Sequence, residues 1–291
     1  MKNIFYLILT IVFVSCGKTE KPDTQNNEPT KTTSATTVDN SSSKNDSLKK
    51  IYGYYVGEFI AVKYNEESPY TYSNKITVSI DSLKGDMLYG HSVVAGNERP
   101  FKGKYEYKNK VYSAKVSEPG DDKYDGEFTF EIFPEQQLIK GIWNSFKSDI
   151  LVTMRKYDLK KRDFVYNENN NIPPEKDFES LYEQNPKYPD KLEKISGDVS
   201  SINASNVLLR KSDIENLYKG DLEVIRNSIY ARHGYSFKNR KMRYFFDNYI
   251  DWYMPVNTDI RNNLTDIEKK NIELLKRYEE HAENYYDEYG R

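Results

Sequence analysis

The chain has 291 residues, 37% hydrophobic and 30% charged, which is enough apolar material for one or two packed cores but too polar for a membrane-spanning body. Lys and Arg number 43 against 45 Asp and Glu, a formal net charge of -2 with no long basic run, so the electrostatic footprint of a nucleic-acid binder is missing. The 26 tyrosines admit two readings. They are stacking platforms for sugars or partner surfaces, or they follow a composition also rich in Lys, Asn and Ile, with Tyr suited to half-buried strands; the second is simpler.

Residues 1–16 run from Lys2 through an apolar stretch, Ile4–Val14, to Ser15 and Cys16, which is the anatomy of a signal peptide. The apolar stretch is shorter than the about 20 residues a spanning helix needs. Val14-Ser15-Cys16-Gly17 resembles the bacterial lipobox, with Phe13 standing where an aliphatic residue is usual. The resemblance implies that Cys16 takes up lipid and becomes the mature N-terminus. Each buried methylene contributes about 0.8 kcal/mol and one chain holds only marginally, so stable anchoring takes the several chains that bacterial lipoproteins carry. It also implies an outer-membrane address in the bacterial envelope, since Gly17 replaces the Asp that tends to retain Gram-negative lipoproteins in the inner membrane. With Cys16 so used, the mature chain has no cysteine for disulfides, thiol catalysis or zinc.

Residues 17–49 are rich in Ser, Thr, Asn, Lys and Asp, cannot repay the entropy of ordering, and read as a disordered tether reaching on the order of 30 Å. Residues 50–157 switch to short alternating runs, among them GYYVGEFIAVKY, KITVSID, GEFTFEIF and ILVTMRKY, separated by turn residues. About eight strands with hairpin-sized gaps at Leu83-Lys84-Gly85, Lys108-Asn109 and Glu135-Gln136 predict an antiparallel meander that forms a small barrel or a strongly curved sheet.

Residues 158–205, with Asn167–Asn171 and Pro173-Pro174, read as a linker with one short helix around Glu175–Tyr182. From there to residue 291 the period is helical, giving an α+β chain whose second domain, 206–291, is small and all-helical. Ser212-Asp213-Ile214-Glu215 and Thr265-Asp266-Ile267-Glu268 each fit a capping box. Asp221–His233 places Leu222, Ile225 and Ile229 on one stripe and stops at Gly234, and a further helix covers Asn239–Tyr249.

The string Arg226-Asn227-Ser228-Ile229-Tyr230-Ala231-Arg232-His233-Gly234-Tyr235-Ser236-Phe237, with Tyr244-Phe245, Trp252-Tyr253, Leu264, Glu268 and Asn271 beyond it, resembles the YARHG domain of bacterial exported proteins over about residues 206–278. The resemblance implies a small helical module and an extracytoplasmic setting, and neither a reaction nor a catalytic residue. By helical geometry Arg226, Tyr230 and His233 share one face, and Ile225, Ile229 and Arg232 another. Arg226, Tyr230 and His233 are candidates for recognising an anionic or hydroxyl-rich ligand. The alternative, which base rates for buried polar groups favour, is that they bond loop carbonyls and Glu268 or Asn271 and lock a small core.

His91, His233 and His281 stand in separate segments with no metal-ligand spacing, and no cofactor is implied. The acidic stretch Glu118–Gly126 is similar to a calcium loop only through Asp121, Asp125 and Gly126; Lys123 and Ile132 occupy ligand places, so it reads as a solvated turn. No nucleophile elbow, phosphate loop or dinucleotide fingerprint is present. The reading is a non-catalytic, membrane-anchored lipoprotein that binds or scaffolds cell-wall glycan or an envelope protein. Two alternatives stand beside it: an envelope hydrolase using a carboxylate pair in the barrel mouth, and a lipocalin-like carrier of an apolar molecule.

Overall fold

Two-residue alternation of apolar and polar side chains closes eight strands into a barrel in the computed structural model, which describes residues 50–64, 73–174 and 195–286. The signal segment with Cys16, the tether and the expected helix at 175–182 lie outside the described residues. The strands are β1 Gly53–Tyr64, β2 Asn74–Lys84, β3 Met87–Val94, β4 Asn97–Lys108, β5 Val111–Ser117, β6 Gly126–Phe133, β7 Leu138–Ser145 and β8 Val152–Lys161. Each pairs antiparallel with the next, and β8 returns to β1, so the sheet leaves no open edge. In β6 the alternation is strict: Phe128, Phe130 and Ile132 are buried while Thr129 and Glu131 face solvent. The Phe128 ring lies 5.6 Å from Phe101, 5.9 Å from Tyr157 and 6.2 Å from Phe59, so large side chains fill the barrel axis. At the mouth a cavity of about 390 Å³ ends on Phe59, Phe128 and Trp143, the space that a lipocalin-like carrier would use.

The helical part comprises α1 Asp198–Ser201, α2 Lys211–Ile214, α3 Lys219–Arg232, α4 Arg240–Tyr249 and α5 Asp266–Tyr285. Leu222, Ile225 and Ile229 of α3 are fully buried, as their spacing predicts. At Thr265 the capping box forms: its Oγ1 accepts from Glu268 N at 3.2 Å, and Glu268 Oε2 accepts from Thr265 N at 2.9 Å. The box expected at Ser212 does not form. Arg210 is already the extended residue before α2, so Ser212 falls inside the first turn, and Asp213 Oδ2 accepts from Arg210 N at 2.8 Å.

The segment 158–205, expected to be a linker, belongs to both bodies wherever it is described. β8 runs on to Lys161, and Ile172, Ile195, Val199 and Ala204 are buried in the helical core. Its apolar residues follow no period because much of the strap is held by polar contacts instead. Trp252 Nε1 donates to Asn171 O at 2.8 Å, and Asn203 Nδ2 to Glu168 O at 2.8 Å.

Barrel and helices pack on each other. Lys75 N of β2 donates to Asp247 Oδ2 of α4 at 2.9 Å, and Arg162 donates to the carbonyls of Asp251 and Trp252 at 2.9 and 3.0 Å. Val56 meets Met254 and Val256 in a small apolar cluster. The β3–β4 hairpin turns through Ala95 and Gly96 with φ of 53° and 76°, the left-handed pair a tight hairpin requires, and Gly96 N donates to Ser236 Oγ at 2.9 Å.

The acidic stretch 118–126 is an exposed turn between β5 and β6 over residues 119–124, as expected, but its flanking carboxylates are not solvated. Glu118 and Asp125 are both buried at the barrel mouth. Glu118 accepts from Gly126 N at 2.7 Å, from Trp143 Nε1 at 3.2 Å and from Ser92 Oγ at 3.2 Å, tying β3, β6 and β7 together. Asp125 pairs with Arg99 Nε at 2.9 Å. What the pattern of turn residues hides is that these two carboxylates turn inward, Glu118 beside the mouth cavity and Asp125 onto Arg99 and the amides of Gly120 and Asp122. Burial raises the Glu118 pKa to about 7, against the opposing hydrogen bonds from Trp143 and Gly126. A raised folded-state pKa means that the native state binds this proton more tightly than the unfolded chain. Its stabilising effect is therefore complete below the ordinary carboxylate range and lost as pH rises through about 7. Denaturant unfolding at pH 5 and pH 8 is expected to show wild type losing up to about 3 kcal/mol more than Glu118→Gln across that interval.

Candidate functional site

The YARHG-like string is divided by the end of α3. Arg226 and Tyr230 lie on the helix and look outward; Arg232 is its last residue, and beyond it His233 turns inward as Gly234 takes up a φ of +70°. A side chain at Gly234 would meet Val256 Cγ2 at 2.5 Å and Phe164 at 2.7 Å, so both its conformation and its surroundings require glycine.

His233 Nε2 donates to Glu268 Oε2 at 2.8 Å, and the imidazole stacks on the Tyr166 ring with centroids 4.3 Å apart. Tyr166 donates its hydroxyl to Glu268 Oε1 at 3.1 Å. Burial opposes ionisation of Glu268, but the hydrogen bonds from His233 and Thr265 outweigh it and hold this carboxyl below its ordinary pKa. The Tyr166 phenol, raised to about 12 by burial and by Glu268, keeps its proton to donate.

Arg232, 2% exposed, donates through Nε to Asn170 O at 2.8 Å, and through Nη1 to Ser228 Oγ at 2.9 Å and Ser205 Oγ at 3.2 Å. Burial lowers its pKa to about 10, so it stays charged at neutral pH. Asn271 is fully buried and serves the neighbouring loop, donating to Ala204 O and Val207 O and accepting from Leu209 N. Arg232 and Asn271, with His233, hold the fold. Asn227 donates to Glu223 O within its own helix and borders the groove formed by the rest of the string.

The other half of the string lines an open groove of about 750 Å³ between α3, α5 and the segment 258–264. Tyr230 and Tyr235 supply two rings 6.1 Å apart and inclined at 65°, and Tyr253 donates its hydroxyl to Tyr235 O at 2.8 Å. Arg226 lies across the Tyr230 ring and is held bidentately by Glu279, at 2.5 and 2.9 Å. The structure thus separates the three residues expected together: Arg226 and Tyr230 meet in the groove, and His233 belongs to the core. Lys238, Asn239, Thr258, Lys269 and Lys276 also line the groove and were not legible as a group. Their one sequence signal is the spacing of Lys269, Ile272 and Lys276, which repeats at helical intervals along α5.

Residues 199–280 match the YARHG domain family, which covers most of the helical part and none of the barrel. No curated protein and no solved structure matches the chain. No helix among the described residues is long and apolar enough to cross a membrane.

In urea unfolding, Arg232→Met, which keeps an apolar stem and removes the donors, is expected to cost roughly 3 kcal/mol by leaving buried acceptors unpaired. Tyr230→Phe, at the groove, is expected to change stability by about 1 kcal/mol or less.

Proposed function

We propose that this protein is a non-catalytic, lipid-anchored lipoprotein of the bacterial envelope.

 Its barrel and helical domain act as a binding or scaffolding module, with the Tyr230 and Tyr235 groove as the contact surface. The observation that carries this reading is the division of labour inside the motif. Arg232 and His233 are used up in buried hydrogen bonds, whereas Arg226, Tyr230 and Tyr235 line an open groove. Two half-buried phenol rings beside amide and hydroxyl groups suit a glycan or a polar protein surface. The envelope setting is supported by the lipobox-like Val14-Ser15-Cys16-Gly17 and by the YARHG match. Cell-wall glycan is the first partner to test, with an envelope protein second.

The hydrolase alternative has one feature in its favour, the buried Glu118 with its pKa raised to about 7 beside the mouth cavity. Both of its oxygens already accept hydrogen bonds from Ser92, Gly126 and Trp143, which favours a structural role.

The test is sedimentation of the detergent-solubilised full chain with purified peptidoglycan sacculi, beside a Tyr230→Ala, Tyr235→Ala variant with an unchanged unfolding midpoint. Saturable binding by wild type and a loss of about tenfold or more in the variant are expected, the scale of losing two aromatic contacts. Failure of wild type to sediment would remove the cell wall as partner.

A further inference from the structure

Charge is distributed unevenly around the groove, and this points to the class of ligand. Five cationic side chains line it against two carboxylates, in a chain whose net charge is -2. Two of the cations are already matched. Arg261 holds Asp259 through both oxygens, with Nε donating to Oδ1 at 2.9 Å, and Arg226 is clamped by Glu279. The remainder is Lys238, Lys269 and Lys276 against Glu273. Lys238 and Lys276 form no ion pair among the described residues, and Lys269 reaches only Asp266, at 3.7 Å.

These lysines come from two separate segments of the chain. Lys269 and Lys276 are seven residues apart on α5, with Ile272 between them at the same groove. Lys238 follows Phe237 in the segment after Gly234, where the barrel turn at Gly96 packs directly on it. Lysines from two elements thus line the groove, with the rings of Tyr230 and Tyr235 and the polar side chains of Asn239 and Thr258.

We infer that the groove takes an anionic glycan: a sugar chain whose rings lie on Tyr230 and Tyr235 and whose carboxylate or phosphate groups meet Lys238, Lys269 and Lys276. Rings and hydroxyl-reading groups suit the sugar, and the surplus of ammonium over carboxylate groups suits its charges. This rests on the groove being a binding surface, and adds the sign of the ligand's charge. An acidic peptide would use the same lysines without needing the two rings, and is an outcome that the test separates.

Isothermal titration of the detergent-solubilised full chain at 50 mM salt would use four probes: oligogalacturonate for carboxylate, a phosphomannan for phosphate, neutral dextran, and a poly-glutamate peptide. At least one anionic glycan is expected to bind about tenfold or more tightly than dextran, and to weaken several-fold at 500 mM salt. The Lys238→Ala, Lys269→Ala, Lys276→Ala variant, altered only at exposed positions, is expected to lose about tenfold with its unfolding midpoint unchanged. The stronger of the two anionic glycans identifies the acid group. Equal binding of dextran, or full binding by the lysine variant, would overturn the charge assignment while leaving a Tyr230-dependent glycan site in place. Poly-glutamate binding as tightly as either anionic glycan, and unaffected by Tyr230→Ala, would overturn the sugar assignment. Binding of none of the four would overturn the inference, and the sacculi experiment then decides whether the groove binds any glycan.

Discussion

A buried carboxylate is expensive unless it is fully hydrogen-bonded, and in this protein the helical domain is arranged around one. Glu268 is 0% exposed and receives donors from three places: His233 at the end of α3, Thr265 at the start of α5, and Tyr166 on the strap leaving the barrel. Meeting that requirement fixes where α3 must stop, how α5 begins and where the strap crosses. The reversal at Gly234 follows, since His233 must turn inward while the chain continues to Tyr235. Once this corner is set, Tyr230 and Tyr235 are brought to the same groove without either taking part in the buried network.

The barrel contributes to the same geometry from outside. Its axis is packed with aromatic rings, and it touches the helical part where the groove's wall is formed. Gly96 N bonds Ser236 Oγ and the turn packs on Lys238, so the segment Ser236–Lys238 is supported on its barrel side. Lys75 and Arg162 fasten the barrel to α4 and to the turn after it. A binding surface on a small helical module is thereby held by a neighbour that does not line it.

Much of this architecture is legible in the sequence, for identifiable reasons. Period-two runs such as GEFTFEIF announce the barrel strands, and Thr265 with Glu268 announces the start of α5. The strap at 162–174 was hidden because backbone carbonyls and asparagine amides hold it, and these leave no hydrophobic period. The burial of Glu118 and Asp125 was hidden for a related reason: an acidic, glycine-containing stretch reads as a turn whether or not its carboxylates point inward. In the candidate site, helical spacing correctly groups Arg226 with Tyr230. It misplaces His233, because the helix ends one residue before it.

Glu268 is the anchor on which the motif's histidine is spent. A double-mutant cycle with His233→Ala and Glu268→Gln, read by urea unfolding, tests it most directly. A coupling of roughly 2 kcal/mol or more between the two positions is expected, as for contacting residues in one buried network. Effects that add to within about 0.5 kcal/mol would contradict it, and would return His233 to the list of residues free to meet a ligand.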